Sequence, residues 1–268
     1  MSILGTRVVR TEDPRLLTSG GTYVDDLRVP ELAGAARVTF VRSPIAHALI
    51  TALDPSAARD APGVIAVFTA QDMDDLPPLP DDGAAQNPSE GAPLPLGGRW
   101  SEPLLATDRV RFVGEPVAIV LTDDSYRGED AAELVSVDYE PLPAVVGFTG
   151  ALDTETLLFP GTDSNVAVSA GSPADGSAFD GCDVVIEHTI ENQRLAPVPL
   201  EGRAAAAAWA DGRLTVWLST QNAQISRFIL AGALGLDPAA IRVITPDVGG
   251  GFGAKVGMDR DGITVAWA

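Results

Sequence analysis

Residues 247–255 read Asp-Val-Gly-Gly-Gly-Phe-Gly-Ala-Lys, directly after an apolar, β-branched run from Ile241 to Thr245. Glycine admits positive φ and carries no Cβ to hold a ligand at a distance. Successive N–H groups of such a loop can converge on an anion or a cofactor oxygen. Three local readings compete. Gly249, Gly251 and Ala254 satisfy a loose dinucleotide-binding pattern, but Pro246 and Asp247 interrupt the strand-to-turn junction. That reading also lacks the acidic residue expected about 20 positions on for a ribose. A phosphate-binding P-loop would employ Lys255, but Ala254 and Val256 stand where its second glycine and its magnesium-binding hydroxyl belong. The third reading is a tight turn with no ligand. Gln221 is a neutral side chain that both donates and accepts. Taken alone, it reads as a solvated helix N-terminus.

Other chemically capable residues have plainer readings. His47 and His188 are the only histidines and Cys182 the only cysteine, so neither a zinc site nor an internal disulfide is expected. His47 reads as a structural histidine and His188 as a packed or solvated strand residue. Cys182, after Gly181, reads as a small turn side chain. Asp123-Asp124-Ser125 reads as a helix N-cap rather than a metal site.

The elements that must position the glycine loop follow from periodicity. Strands are expected at Arg37–Arg42, Leu49–Leu53, Val64–Thr69, Pro116–Thr122 and Val137–Tyr139, with helices at Pro55–Asp60 and Asp124–Val135. Residues 74–104 carry seven prolines, which neither a helix nor a sheet can run through, and read as a long excursion. Residues 147–180 are rich in Gly, Ser, Asp and Pro, as a linker would be. Beyond them Val184, Ile186, His188 and Ile190 alternate with Glu187, Thr189 and Glu191, a strand pattern that Leu214, Val216 and Leu218 repeat. Thr220–Leu234 reads as a helix closed by Gly235, and Ile241–Thr245 as the next strand. Alternating strands and helices imply an α/β (α+β) protein.

Apolar residues make up 46% of the 268 and charged residues 21%, so a substantial core is affordable. The net charge of −19 would repel nucleic-acid phosphates and anionic membrane surfaces, so no nucleic-acid partner is expected. The apolar run Ala204–Ala208 is far too short to span a bilayer, and a cytoplasmic location is expected.

Read together, the segments break the tie at the glycine loop. Val248–Lys255 is similar to the glycine-rich signature of the xanthine dehydrogenase, aldehyde oxidase and carbon monoxide dehydrogenase family. Trp217-Leu218-Ser219-Thr220-Gln221 resembles the family's strand-end Ser-Thr-Gln segment, and Pro199-Leu200-Glu201-Gly202-Arg203 a looser copy of its Pro-Met-Glu-Pro-Arg segment. Arg10–Asp13 with Gly20–Asp26, Arg42–Ala48, Val110–Ala118 and Val137–Pro143 resemble N-terminal segments of its molybdopterin-binding large subunit.

The resemblance implies an a/b hammerhead domain over 18–146, a linker over 147–180, and the first part of a molybdenum-cofactor-binding domain over 181–268. It implies a molybdenum–pterin cofactor, with or without an attached nucleotide. Gln221 would donate its amide to a molybdenum oxo group, and Gly249, Gly250, Gly251, Phe252 and Gly253 would lie against the cofactor. Molybdenum would be held by the pterin, not by protein side chains. The catalytic base glutamate of the family has no counterpart in the chain, and Glu201 is not assigned to that role. The implied reaction is oxidation of an aldehyde, an N-heterocycle or carbon monoxide with water-derived oxygen, and Val256 argues mildly against a purine. Partners would be an iron–sulfur subunit carrying 2Fe-2S clusters and an FAD subunit, in a dimer of heterotrimers. These 268 residues are expected to be inactive alone, with apolar surface exposed where further strands should pack. The alternative is a non-catalytic truncated scaffold or assembly fragment of the same family.

Overall fold

The computed structural model describes residues 4–5, 7–77, 103–152, 155–166 and 176–268. The helices are α1 (Asp13–Thr18), α2 (Ser56–Arg59), α3 (Ser125–Ala132), α4 (Phe148–Ala151), α5 (Ala223–Leu234) and α6 (Arg260–Trp267). The strands are β1 (Arg37–Arg42), β2 (Ala48–Asp54), β3 (Val64–Thr69), β4 (Arg109–Val110), β5 (Pro116–Thr122), β6 (Ser136–Pro141), β7 (Ala205–Ala210), β8 (Arg213–Leu218) and β9 (Ile241–Ile244). They form three sheets, ordered β1-β5-β3, β4-β2-β6 and β7-β8-β9.

Strand β5 organises the first half. All seven of its residues are buried, as an apolar run without polar alternation requires. Side chains alternate across a strand, so Ala118 and Val120 pack with Ala58, Val67 and Ala131, while Ile119 and Leu121 face the other way. Helix α3 covers the first face. Its N-cap is Asp124, whose carboxylate accepts from the Tyr126 N–H, as the acidic run predicts.

Ile119 and Leu121 join the largest apolar cluster with Met73, Leu104 and Leu105. That cluster also contains Leu214, Val216 and Leu218 from β8, Leu230 from α5, Ile241 from β9 and Ile263 from α6. The third sheet therefore shares its core with the first. In it β7 and β8 run antiparallel, whereas β8 and β9 run parallel, joined through α5 as a parallel pair requires. Asn222 caps α5 by accepting from the Ile225 N–H, and Gly235 closes it at φ 64°.

Two expectations change. The alternating segment from Val184 to Ile190 forms no strand: Val184, Ile186 and Ile190 are 75–84% exposed. Alternation marks a segment able to pair, but a strand exists only with a ladder partner, and none of the described residues supplies one. Conversely, the alanine run becomes edge strand β7, and α6 forms where no helix was expected. The proline-rich excursion lies largely outside the described residues. No helix among the described residues is long and apolar enough to cross a membrane.

Candidate functional site

Strand β8 is followed by Ser219 and Thr220, both buried, and the chain then turns out at Gln221. Strand β9 runs parallel to it. The chain leaving β9 enters the glycine loop, which folds back over the end of β8. Helix α6 begins only at Arg260, so no helix N-terminus opens on the loop. The dinucleotide-binding pattern needs that junction, and it is absent.

Gln221 and Gly249–Gly253, named separately in the sequence, lie together in the fold. The Gln221 N–H donates to the Lys255 carbonyl at 2.7 Å. Its side-chain Oε1 accepts from the N–H groups of Gly253 (3.0 Å) and Lys255 (3.3 Å). Two backbone donors thus fix which end of the amide faces the loop. The Nε2 group has no protein acceptor among the described residues, nor have the N–H groups of Gly250, Gly251 and Phe252.

Each key glycine makes room for a particular neighbour. A Cβ on Gly251 would stand 2.4 Å from Gln221 Oε1, and one on Gly249 would stand 2.4 Å from Glu201 Cβ. Gly250 is at φ 103° and Gly253 at φ 88°, which disfavours any side chain there. Phe252 itself is at φ 50° and is 74% exposed. A non-glycine residue in that conformation is strained and points to a loop shaped for more than a turn.

Beneath the loop lies a charged cluster that the sequence did not assign. The Lys255 ammonium is fully buried and donates to Glu201 O (2.9 Å), Glu201 Oε2 (3.0 Å) and Ser219 Oγ (2.9 Å). Glu201 Oε2 also accepts from the Ser219 hydroxyl at 2.6 Å and the Gly249 N–H at 2.7 Å. The Glu201 N–H returns to Gly249 O at 3.2 Å. Burial opposes ionisation of Glu201, but the bonds from Ser219, Gly249 and Lys255 outweigh it and hold its pKa below the usual carboxylate value. A P-loop lysine must reach a phosphate, whereas this one is consumed inside the protein. The signal available in the sequence was a lone lysine at the end of a glycine run, in a chain poor in basic residues.

A second unassigned contact guards the loop entrance. Asp247 accepts both guanidinium nitrogens of Arg15 at 2.7 Å, and the Thr22 N–H at 2.8 Å. The Arg15 bonds, then the Thr22 N–H, pull its pKa down to about 2. The N-terminal segment is thereby tied to the loop.

His47 is buried, with Nδ1 2.7 Å from Pro143 O and Nε2 without a hydrogen-bond partner among the described residues. His188 and Cys182 are exposed. No group of three or more His, Cys, Asp or Glu side chains suited to a metal occurs among the described residues.

Comparison with known proteins matches both halves. A family model described as the aldehyde oxidase and xanthine dehydrogenase a/b hammerhead domain matches residues 18–143. One described as the molybdopterin cofactor-binding domain matches residues 158–268. The chain is 37% identical over 259 residues to the nicotine 6-hydroxylase large subunit of Paenarthrobacter nicotinovorans, covering 95% of this chain and 30% of that protein. It is 30% identical to the carbon monoxide dehydrogenase large chain of Hydrogenophaga pseudoflava, over 94% of this chain and 32% of that one. The crystal structure of quinoline 2-oxidoreductase from Pseudomonas putida 86 superposes with a TM-score of 0.83 at 32% identity, over 98% of this chain and 33% of the other. The chain thus spans about a third of the length of these relatives.

Proposed function

The chain belongs to the xanthine dehydrogenase, aldehyde oxidase and carbon monoxide dehydrogenase family of molybdopterin-binding large subunits, and from that membership we propose that its glycine loop and Gln221 form one wall of a molybdenum–pterin site in a hydroxylase. The observation that carries the reading is the fixed Gln221 amide. Its oxygen is spent on the loop, so its NH₂ is the end left to meet a ligand. The unpaired N–H groups of Gly250, Gly251 and Phe252 add donors of the same polarity. A neutral donor array suits an oxygen-rich group that must be oriented without being displaced from its own metal.

When bound, that group supplies the two-electron oxidation of a substrate carbon, with oxygen drawn from water. The residues of this chain contribute orientation. Gln221 donates a hydrogen bond without changing charge, and Gly249 and Gly251 let the backbone approach closely. Glu201 is committed to Lys255, Ser219 and the Gly249 N–H, so it serves the loop and is not assigned as the base that activates water. An aldehyde, an N-heterocycle or carbon monoxide is the substrate class. By likeness to relatives that are large subunits of multi-subunit complexes, electrons leave through an iron–sulfur subunit and an FAD subunit. The division into a hammerhead unit at 18–146, a linker at 147–180 and a cofactor-binding unit from 181 belongs to the same reading.

The test is molybdenum content. A full-length subunit co-expressed with its partners should bind molybdenum, and Gln221→Ala should lower the bound metal while the melting temperature holds. Full molybdenum occupancy and unchanged turnover in that variant would sink the assignment of Gln221.

A further inference from the structure

Lys255 is tied to the cradle twice, by its backbone and by its side chain. Its backbone N–H and carbonyl both bond to Gln221, and the carbonyl also accepts from Thr220 Oγ1 at 3.1 Å. Its ammonium crosses beneath the loop to Glu201, whose carboxylate holds the Gly249 N–H at the loop's opposite end. The segment from Gly249 to Lys255 is therefore closed into a ring through the Glu201 side chain. All three ammonium hydrogens are used, and Ser219 Oγ both donates to Glu201 and accepts from Lys255.

Stability alone does not account for this arrangement. A buried ion pair seldom outperforms well-packed apolar side chains of the same volume, because both charges must leave water. Such a pair earns its place when it fixes one geometry among several. Here Glu201 Oε1 is buried without a hydrogen-bond partner among the described residues, a further cost that an apolar pair would not carry.

We propose that Lys255 is a positioning residue for the cofactor cradle: through Glu201 it sets the Gly249–Gly253 backbone and the Gln221 amide before any cofactor arrives. The proposal rests on the cradle reading given above. It makes the loop preorganised, so that cofactor binding does not have to order a run of glycines, the residues that lose most freedom on being fixed.

The test uses the full-length subunit with its partners, produced with and without cofactor synthesis, and follows amide hydrogen exchange across residues 247–256. In cofactor-free protein, Lys255→Met should speed exchange there by about tenfold while the β5 segment stays protected. In cofactor-replete protein it should lower molybdenum content. Should Lys255→Met fail to fold, Glu201→Gln provides the second variant. It keeps the shape and the oxygen acceptor but loses the charge, and should show a smaller change in the same direction. Loop exchange equal to wild type in either folded variant would overturn the proposal. Wild type that protects the loop yet never binds molybdenum would leave only a loop anchor and sink the cofactor reading instead.

Discussion

Glu115, immediately before β5, and Arg260, at the start of α6, meet across the junction between the first and third sheets, with Arg260 Nη1 3.5 Å from Glu115 Oε1. Glu115 is fully buried and also accepts the Arg111 N–H. Arg42 repeats the connection beside it, donating to Asp261 at 2.6 Å and to Gly114 O at 3.1 Å. Removing one partner of a buried pair strands the other. Glu115→Leu should therefore cost about 3–5 kcal/mol, read as a fall in urea midpoint. A loss below about 1 kcal/mol, the level of an exposed pair, would mean that the junction does not depend on it.

The glycines of the loop should not be equivalent. Gly251→Ala drives a methyl into the Gln221 amide and Gly249→Ala drives one into Glu201. At Gly253 a methyl meets nothing within 4 Å, and only its positive φ resists substitution, at about 1–2 kcal/mol. Molybdenum retention should fall furthest for alanine at 249 and 251 and least at 253. Equal losses at all three positions would contradict the wedge between Glu201 and Gln221.

Acid should release the N-terminal segment from the loop. Asp247 has its folded pKa lowered to about 2, from an ordinary value of 3.8. A depressed carboxylate contributes stability that is complete above the ordinary value and is lost as pH falls through the folded one. The Arg15 contact should thus persist at neutral pH and fade between about pH 4 and pH 2. Since Arg15 and Asp247 are partly exposed, solvent screens the contact and keeps the gain small. Melting temperatures of wild type and Asp247→Asn should converge across that window. A constant difference would assign the effect to another group.

The exposed run Val184, Ile186 and Ile190 should make the 268-residue chain bind an apolar dye, and Ile186→Lys with Ile190→Lys should reduce that binding. In a full-length subunit the dye should not bind. Dye binding unchanged by the double variant would place the apolar surface elsewhere.

Much of this was readable from residue order, and the misses share a cause. Strands β1, β3, β5 and β8 were legible because each carries a local apolar signal sufficient to choose its state. So was the helix at Ala223–Leu234, with asparagine before it and glycine after it. Val184–Ile190 carried the same signal and formed no strand, since pairing is decided by residues far away in sequence. The alanine strand β7 was hidden for the opposite reason: alanine favours helix, and only its ladder with β8 overrides that preference. At the site, Gln221 and the glycines could be named from resemblance, but the Glu201–Lys255 pair spans 54 positions and shows only when the chain is folded.

Leu121 of the first sheet and Leu218 of the third lie in one apolar cluster. A recombination event that exchanged one half for a foreign counterpart would have to match that packing as well as the chain break. Residues on the two halves therefore constrain one another's size and shape across that packing.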